Sequence, residues 1–229
     1  WFEASRADEL GKVQRRAFAE GRVFLVSNPI SFAHARRLGL NRLIYLPIML
    51  DETLYAPGVG ESRVEWKTQS GGDFFVLTSS RLDERNKGSS IGLEGFARFA
   101  QSHPGARLVV IGWGNDHAAK LAQLDAWGIA NKVVVLPIAG KARLRDYLRS
   151  ADVFIDQFVL GYYGTAGLEA TACGVPVIGR IEHDQYDALC ETGAPPFHNT
   201  SDAEGVHQAL TQLADDTGYR AHSGAAHRR

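Results

Sequence analysis

The 229-residue sequence has only two cysteines, one methionine and eight prolines, and each scarcity closes a class of explanation. Cys173 and Cys190 lie 17 positions apart without a CxxC pair or a histidine at ligand spacing. A disulfide framework and a zinc site are therefore excluded, and a reducing compartment fits best. No basic-then-apolar segment opens the chain, and no run approaches the roughly 18 apolar residues of a membrane span. A soluble, cytoplasmic protein is expected. Neither sign of charge dominates: 25 Lys and Arg stand against 26 Asp and Glu, a formal net charge of −1. No global field draws nucleic acid or an anionic membrane, so any anion site must be local. No repeat of 20 to 50 residues is present. The first residue is Trp1 and the only methionine is Met49, so a fragment or processed chain is expected.

What is abundant is apolar surface, 45% of residues, and glycine, 24 residues. The first suffices for a core without covalent staples. The glycines exceed the usual share of about 7% and point to tight turns and close backbone approach. From Asp73 onward, short unalternated apolar runs (Phe74 to Thr78, Arg107 to Ile111, Lys132 to Leu136, Val153 to Ile155, Val175 to Ile178) read as parallel strands covered on both faces. Helical stripes separate them, at Leu93/Phe96/Phe99, Leu121/Leu124/Trp127, Leu144/Tyr147/Leu148 and Leu168/Ala172/Cys173. The order implies an α/β fold, a Rossmann-like doubly wound parallel sheet with ligands at the carboxyl ends of its strands.

The expected organisation is the end of a truncated domain over 1–58, a linker over 59–72, the main domain over 73–216 and a frayed tail over 217–229. The first part shows a polar helix (Ser5 to Glu20), strands Arg22 to Val26 and Arg42 to Leu46, and a short helix between them. One such unit cannot bury both faces of its strands. Gly58, Gly60, Gly71 and Gly72 mark the linker by composition. A last helix is expected over Asp202 to Ala214.

Three stretches carry chemistry. In the first, Thr78 to Gly88, a strand ends in a polar loop where Arg81 and Lys87 either converge on an anion or are solvated cations. The second, Gly112-Trp113-Gly114, is a tight strand-to-helix turn. His117 occupies the place of the third glycine of a dinucleotide fingerprint, which leaves an NAD-type oxidoreductase domain as a minor alternative. The third runs from Gly161 to Ile178. Its helix starts near Gly164 or Thr165 with small residues that expose N-terminal amides to a diphosphate. Glu169, one turn in, is either a ribose-binding carboxylate or a helix-dipole partner.

In that order these stretches resemble the retaining glycosyltransferases of family 4, the glycosyl transferase group 1 family of GT-B fold. The matches are Arg81-Leu82 with Lys87-Gly88, Gly112-Trp113-Gly114, Ala151-Asp152-Val153-Phe154, and Tyr163-Gly164 through Leu168-Glu169-Ala170 to Val175-Pro176-Val177-Ile178. The resemblance spans about Phe74 to Leu213 and implies the nucleotide-sugar-binding C-terminal domain, preceded by a remnant of the N-terminal, acceptor-side domain. It implies a UDP- or GDP-sugar donor, a glycan or lipid-linked acceptor, peripheral membrane contact through the missing domain, and no metal. Arg81 and Lys87 would hold the diphosphate and stabilise the leaving group, Glu169 the ribose hydroxyls, and Gly164, Thr165 and Ala166, with Tyr163 beside them, the phosphate oxygens. Gly112 and Gly114 would admit the donor, and Leu136 and Pro137 would lie against the base. The fragment would bind donor and transfer nothing alone.

One departure concerns the sugar. The family often carries two glutamates with seven residues between them, the second being Glu169, and here the place of the first, 161, is glycine. Asp156 and Gln157, at the end of the fourth strand, could serve the sugar instead, and a strand-end Asp that caps a loop is an equal expectation. A non-catalytic relative that binds a nucleotide or a partner is the alternative. His103, His183 and His198 are expected to be solvated, and Trp113 and Trp127 to be packing residues.

Overall fold

The computed structural model describes residues 8–191 and 193–226, which divide into two compact units: 8–49 with 183–191 and 193, and 50–182 with 194–226. The first unit opens with α1 (Glu9–Glu20), whose N-terminal amide at Gly11 is capped by the Asp8 carboxylate. Ser5 to Ala7, expected to begin this helix, lie outside the described residues. β1 (Phe24–Val26), α2 (Pro29–Arg37) and β2 (Leu43–Tyr45) follow, and the two strands pair in parallel. Asn28 caps α2 and Pro29 fills its first position, where a missing N–H costs nothing. Leu25 and Ile44 are exposed on this small sheet, as expected for strands without a second covering layer.

In the second unit, α3 (Ser62–Ser70) occupies the segment expected to be a linker. It was hidden because Trp66 is its one large buried side chain, and Val64 faces outward. A single anchor makes no stripe. Trp66 is 1% exposed and packs between Phe75 and Tyr147, with ring centroids 5.6 Å away in each case. Arg63 donates to the Asp152 carboxylate (2.9 Å), and Arg149 donates to the carbonyls of Ala56 and Leu54. These contacts attach residues 54–70 to the larger unit.

The remaining elements are β3 (Phe74–Thr78), α4 (Glu84–Lys87), α5 (Ser89–Ser102), β4 (Ala106–Ile111), α6 (His117–Ala126), β5 (Val133–Leu136), α7 (Lys141–Ser150), β6 (Val153–Ile155), α8 (Thr165–Ala172) and β7 (Val177–Gly179). α9 (His183–Asp187) belongs to the first unit; β8 (His198–Asn199), α10 (Ala203–Asp215) and α11 (Thr217–Ala226) complete the second. The expected frayed tail is thus helical through Ala226, held where Arg220 donates to the Leu213 carbonyl and His198 meets Ser223 at 2.8 Å. Residues 227–229 lie outside the described residues.

The sheet order is β5-β4-β3-β6-β7-β8, and every pairing is parallel. The expected doubly wound sheet is therefore present. Val76, Leu108, Val153 and Ile178 are buried within it, which explains strands without polar alternation. The core continues into α5 and α10, where Phe96, Phe99, Val206 and Leu210 are fully buried. Gly95 lets those helices approach, since a methyl group there would meet Val206 at 2.4 Å and the Ala203 carbonyl at 2.9 Å. Gly95→Ala is expected to destabilise the fold by about 1–3 kcal/mol by overpacking, measured by urea unfolding.

The motif residue Asp152 has a structural explanation. Its carboxylate accepts the Phe75 amide (2.8 Å) and the Arg63 guanidinium, so it joins β3 to the start of β6.

Candidate functional site

Strand order reverses between β3 and β6, and in open parallel sheets that divergence leaves a crevice at the carboxyl ends. Here the crevice is a cleft of about 560 Å³, with Ser79, Ser80 and Arg81 after β3, Asp156 after β6, Ile138 to Lys141 leading into α7, and Gly164 to Ala166 opening α8. That volume suits a ligand of nucleotide size.

The sequence-predicted residues Arg81, Lys87, Gly164, Thr165 and Ala166 line it together. Arg81 pairs with Asp83 at 3.0 Å, and its Nε is buried without a partner. Asp83 caps the four-residue α4 by accepting from the Asn86 amide, and these hydrogen bonds hold its carboxyl below the usual range. The cap fixes the loop that presents Arg81 and Lys87. Lys87 donates to Gln157; burial lowers its pKa, and the nearby Asp156 opposes that shift.

Asp156 changes the expected anion site. It is buried, its Oδ2 accepts the Gly164 N–H at 2.6 Å, and its Oδ1 accepts the Ser80 hydroxyl at 3.2 Å. The protein's own carboxylate thus takes the first amide that the sequence offered to phosphate, leaving Thr165 and Ala166. Gly164 and Gly167 make room for it, because a Cβ at either would lie 2.7 or 2.6 Å from a carboxylate oxygen. Burial raises the Asp156 pKa above 3.8, against the Gly164 hydrogen bond, the Lys87 charge and the Ser80 hydroxyl. An acid raised in the fold stabilises most at pH below its unfolded value, and that contribution is lost as pH rises through the folded value. The stability advantage of the parent over Asp156→Asn is therefore expected to shrink as pH rises from about 3.8. Paired urea titrations would show it, since Asp83 and Glu84, shifted downward, act alike in both proteins.

Glu169 is 2% exposed in the middle of α8. Its Oε1 accepts from the Tyr55 hydroxyl at 3.1 Å and from Lys141 at 2.6 Å, whereas Oε2 is buried without a partner. Burial, reinforced by Glu169, pushes the Tyr55 phenol up to about 12, so it remains a donor at neutral pH. Tyr55 and Lys141 were not legible as site residues. One lay near the apparent linker, and the other is an isolated lysine at a helix start.

Glu169 and several other expected residues lie outside the lining of this cleft. A Cβ at Gly112 would meet His117 and Val135, and one at Gly114, at φ +117°, the backbone of Leu82; Ile111 and Trp113, on either side of Gly112, line the cleft. Leu136 and Pro137 precede the cleft-lining segment 138–141, and Tyr163 is buried outside the lining. Trp113, expected to be a packing residue, instead lines the cleft at 39% exposure while donating to the Ser79 carbonyl at 3.0 Å. Gly161 has φ +67°, a left-handed conformation that disfavours any side chain. The histidines also differ from expectation: His103 stacks on Phe99 and meets Asp215 at 3.1 Å, and His198 lies in β8. His183 begins α9. Among the described residues no three His, Cys, Asp or Glu side chains group to hold a metal ion.

The switch-point cleft, with Arg81, Lys87 and Lys141, helix amides and an inward carboxylate, lies at the carboxyl edge of a Rossmann-like domain. The sequence model of the family described as "Glycosyl transferases group 1" matches residues 73–216, and the chain belongs to that family. The alpha-monoglucosyldiacylglycerol synthase of Acholeplasma laidlawii is 31% identical over 123 residues, covering 53% of this chain and 30% of that protein. The C-terminal domain of the glycosyl transferase group 1 family protein LpcC from Francisella tularensis superposes with a TM-score of 0.63 at 18% identity, over 79% of this chain and 95% of that one. Anabaena HepE, solved with UDP and glucose, superposes with a TM-score of 0.74 at 18% identity, over 93% of this chain and 59% of that one. The fold is that of GT-B C-terminal domains.

Proposed function

We propose that this chain is the donor-binding part of a retaining, metal-independent glycosyltransferase of family 4 that uses a UDP- or GDP-sugar and a glycan or lipid-linked acceptor. The observation that carries this reading is the convergence of Arg81, Lys87 and the α8 amides in one switch-point cleft beside Glu169, whose Oε2 is buried and unpartnered. The two cations offset the diphosphate charge that grows as the glycosidic bond breaks. The Thr165 and Ala166 amides add donors at the positive end of α8. Glu169 accepts from the ribose hydroxyls, which satisfies Oε2. HepE, an Anabaena protein of similar fold, has been solved with UDP and glucose, which supports this donor class. Free Cys173 and Cys190 fit a cytoplasmic setting. Acceptor groups and membrane contact are assigned to other parts of the whole protein.

Calorimetric titration of the chain with UDP and GDP tests the reading. Binding of one of them is expected, weakened in Lys87→Ala. Absence of binding by both, with the variant indistinguishable from its parent, would overturn it.

A non-catalytic relative is the second reading, favoured by Gly161, whose left-handed backbone disfavours the family's first glutamate. Steady release of nucleoside diphosphate from nucleotide sugars by the whole protein would exclude it.

A further inference from the structure

Glu169 presents an asymmetric pair of oxygens. Oε2 is free and buried, whereas Oε1 is shared by the buried Tyr55 and by Lys141. A vicinal diol donates to two acceptor positions, so a ribose seated on this carboxylate competes with one of the existing donors. Tyr55 is fixed by burial. Lys141 reaches in on a flexible stem that is 64% exposed, so it is the donor that yields.

The place of Lys141 in the sequence gives a second indication. It opens α7, whose first turn holds no acidic residue and also carries Arg143. Cations there oppose the helix dipole, and local violations of this kind are expected at functional sites; Arg143 is paired with Glu65 and Asp146, which leaves Lys141 as the one directed at the cleft. Lys141 lines the same cleft as Arg81, Lys87 and the Thr165 and Ala166 amides. It therefore lies within the field of any diphosphate they hold.

We propose that Lys141 is an exchangeable cation: it holds Glu169 until a ribose diol takes that carboxylate, and then transfers to the donor's diphosphate. This rests on the donor-site reading above and deepens it. The exchange makes phosphate affinity depend on the presence of ribose hydroxyls, so the cleft discriminates a nucleoside diphosphate from free pyrophosphate through a positioning residue that moves between the two.

The test is calorimetric titration of the parent chain and Lys141→Met with UDP, 2′,3′-dideoxy-UDP and inorganic pyrophosphate. Lys141→Met is expected to weaken UDP about tenfold, the loss of one charge-assisted contact, while the other two ligands change by less than about twofold. With those ligands Lys141 stays on Glu169 in the parent and contributes nothing to lose. Equal losses for all three ligands would overturn the exchange and make Lys141 a fixed phosphate cation; an unchanged UDP affinity would overturn it as well. Removing the partner of a buried carboxylate can destabilise the fold. Lys141→Gln, which keeps a donor for Glu169 but no charge, is therefore measured alongside and is expected to show the same pattern. If the parent binds neither UDP nor GDP, the donor reading itself fails and this proposal with it; if UDP binds and only the ligand pattern fails, the donor reading stands.

Discussion

Replacing Lys87 with alanine is expected to lower the affinity of the chain for UDP or GDP by roughly tenfold to a hundredfold, the span of a charged hydrogen bond worth about 1.5–3 kcal/mol. Lys87 donates to Gln157 from a partly buried position that lowers its pKa, so the ammonium is short of solvent. An arriving diphosphate supplies the compensation that water does not. The fold should tolerate the change, because the Asp83 cap and the core beneath it remain. Arg81→Ala should weaken binding less. Its side chain is 40% exposed and already paired with Asp83, and solvent screens such contacts. Calorimetry at low and moderate salt would separate the two, and a Lys87→Ala affinity equal to that of the parent would remove the lysine from the site.

Replacing Trp66 with alanine is expected to cost about 3–5 kcal/mol, the range for deleting a large buried aromatic. The indole is 1% exposed between Phe75 on β3 and Tyr147 on α7. α3 has only nine residues, too few for stability of its own, so its attachment depends on this side chain together with Arg63 and a hydrogen bond from Ser62 to Asp146. Urea unfolding followed by fluorescence of the remaining tryptophans would measure the loss. A change below about 1 kcal/mol, the level of a surface substitution, would show that this segment behaves as a linker.

What the sequence revealed followed from how many residues repeat a signal. Five apolar runs and four helical stripes fixed the parallel sheet, and the ordered motifs placed Arg81, Lys87 and the start of α8 at its carboxyl edge. Single-residue devices stayed hidden. Trp66 is the one large buried side chain of α3, and Lys141 and Tyr55 meet Glu169 from 28 and 114 residues away. Asp156 was legible as either a sugar contact or a loop cap, and it caps the start of α8. The glycines were read as marking close ligand approach or tight turns. At Gly164 the room is taken by a carboxylate of the protein itself, as it is at Gly167, which the sequence did not single out. Composition cannot distinguish a methyl-sized gap left for a ligand from one left for another side chain.

The division of the chain, with α9 belonging to the same unit as α1, α2 and their strands, has a consequence for folding. The two parts of this smaller unit are separated in sequence by residues 50–182 of the larger one. Contacts so distant in sequence carry a loop-closure penalty and form late. The smaller unit is thus held together by contacts that form late, and its exposed Leu25 and Ile44 offer apolar surface to aggregation until they do.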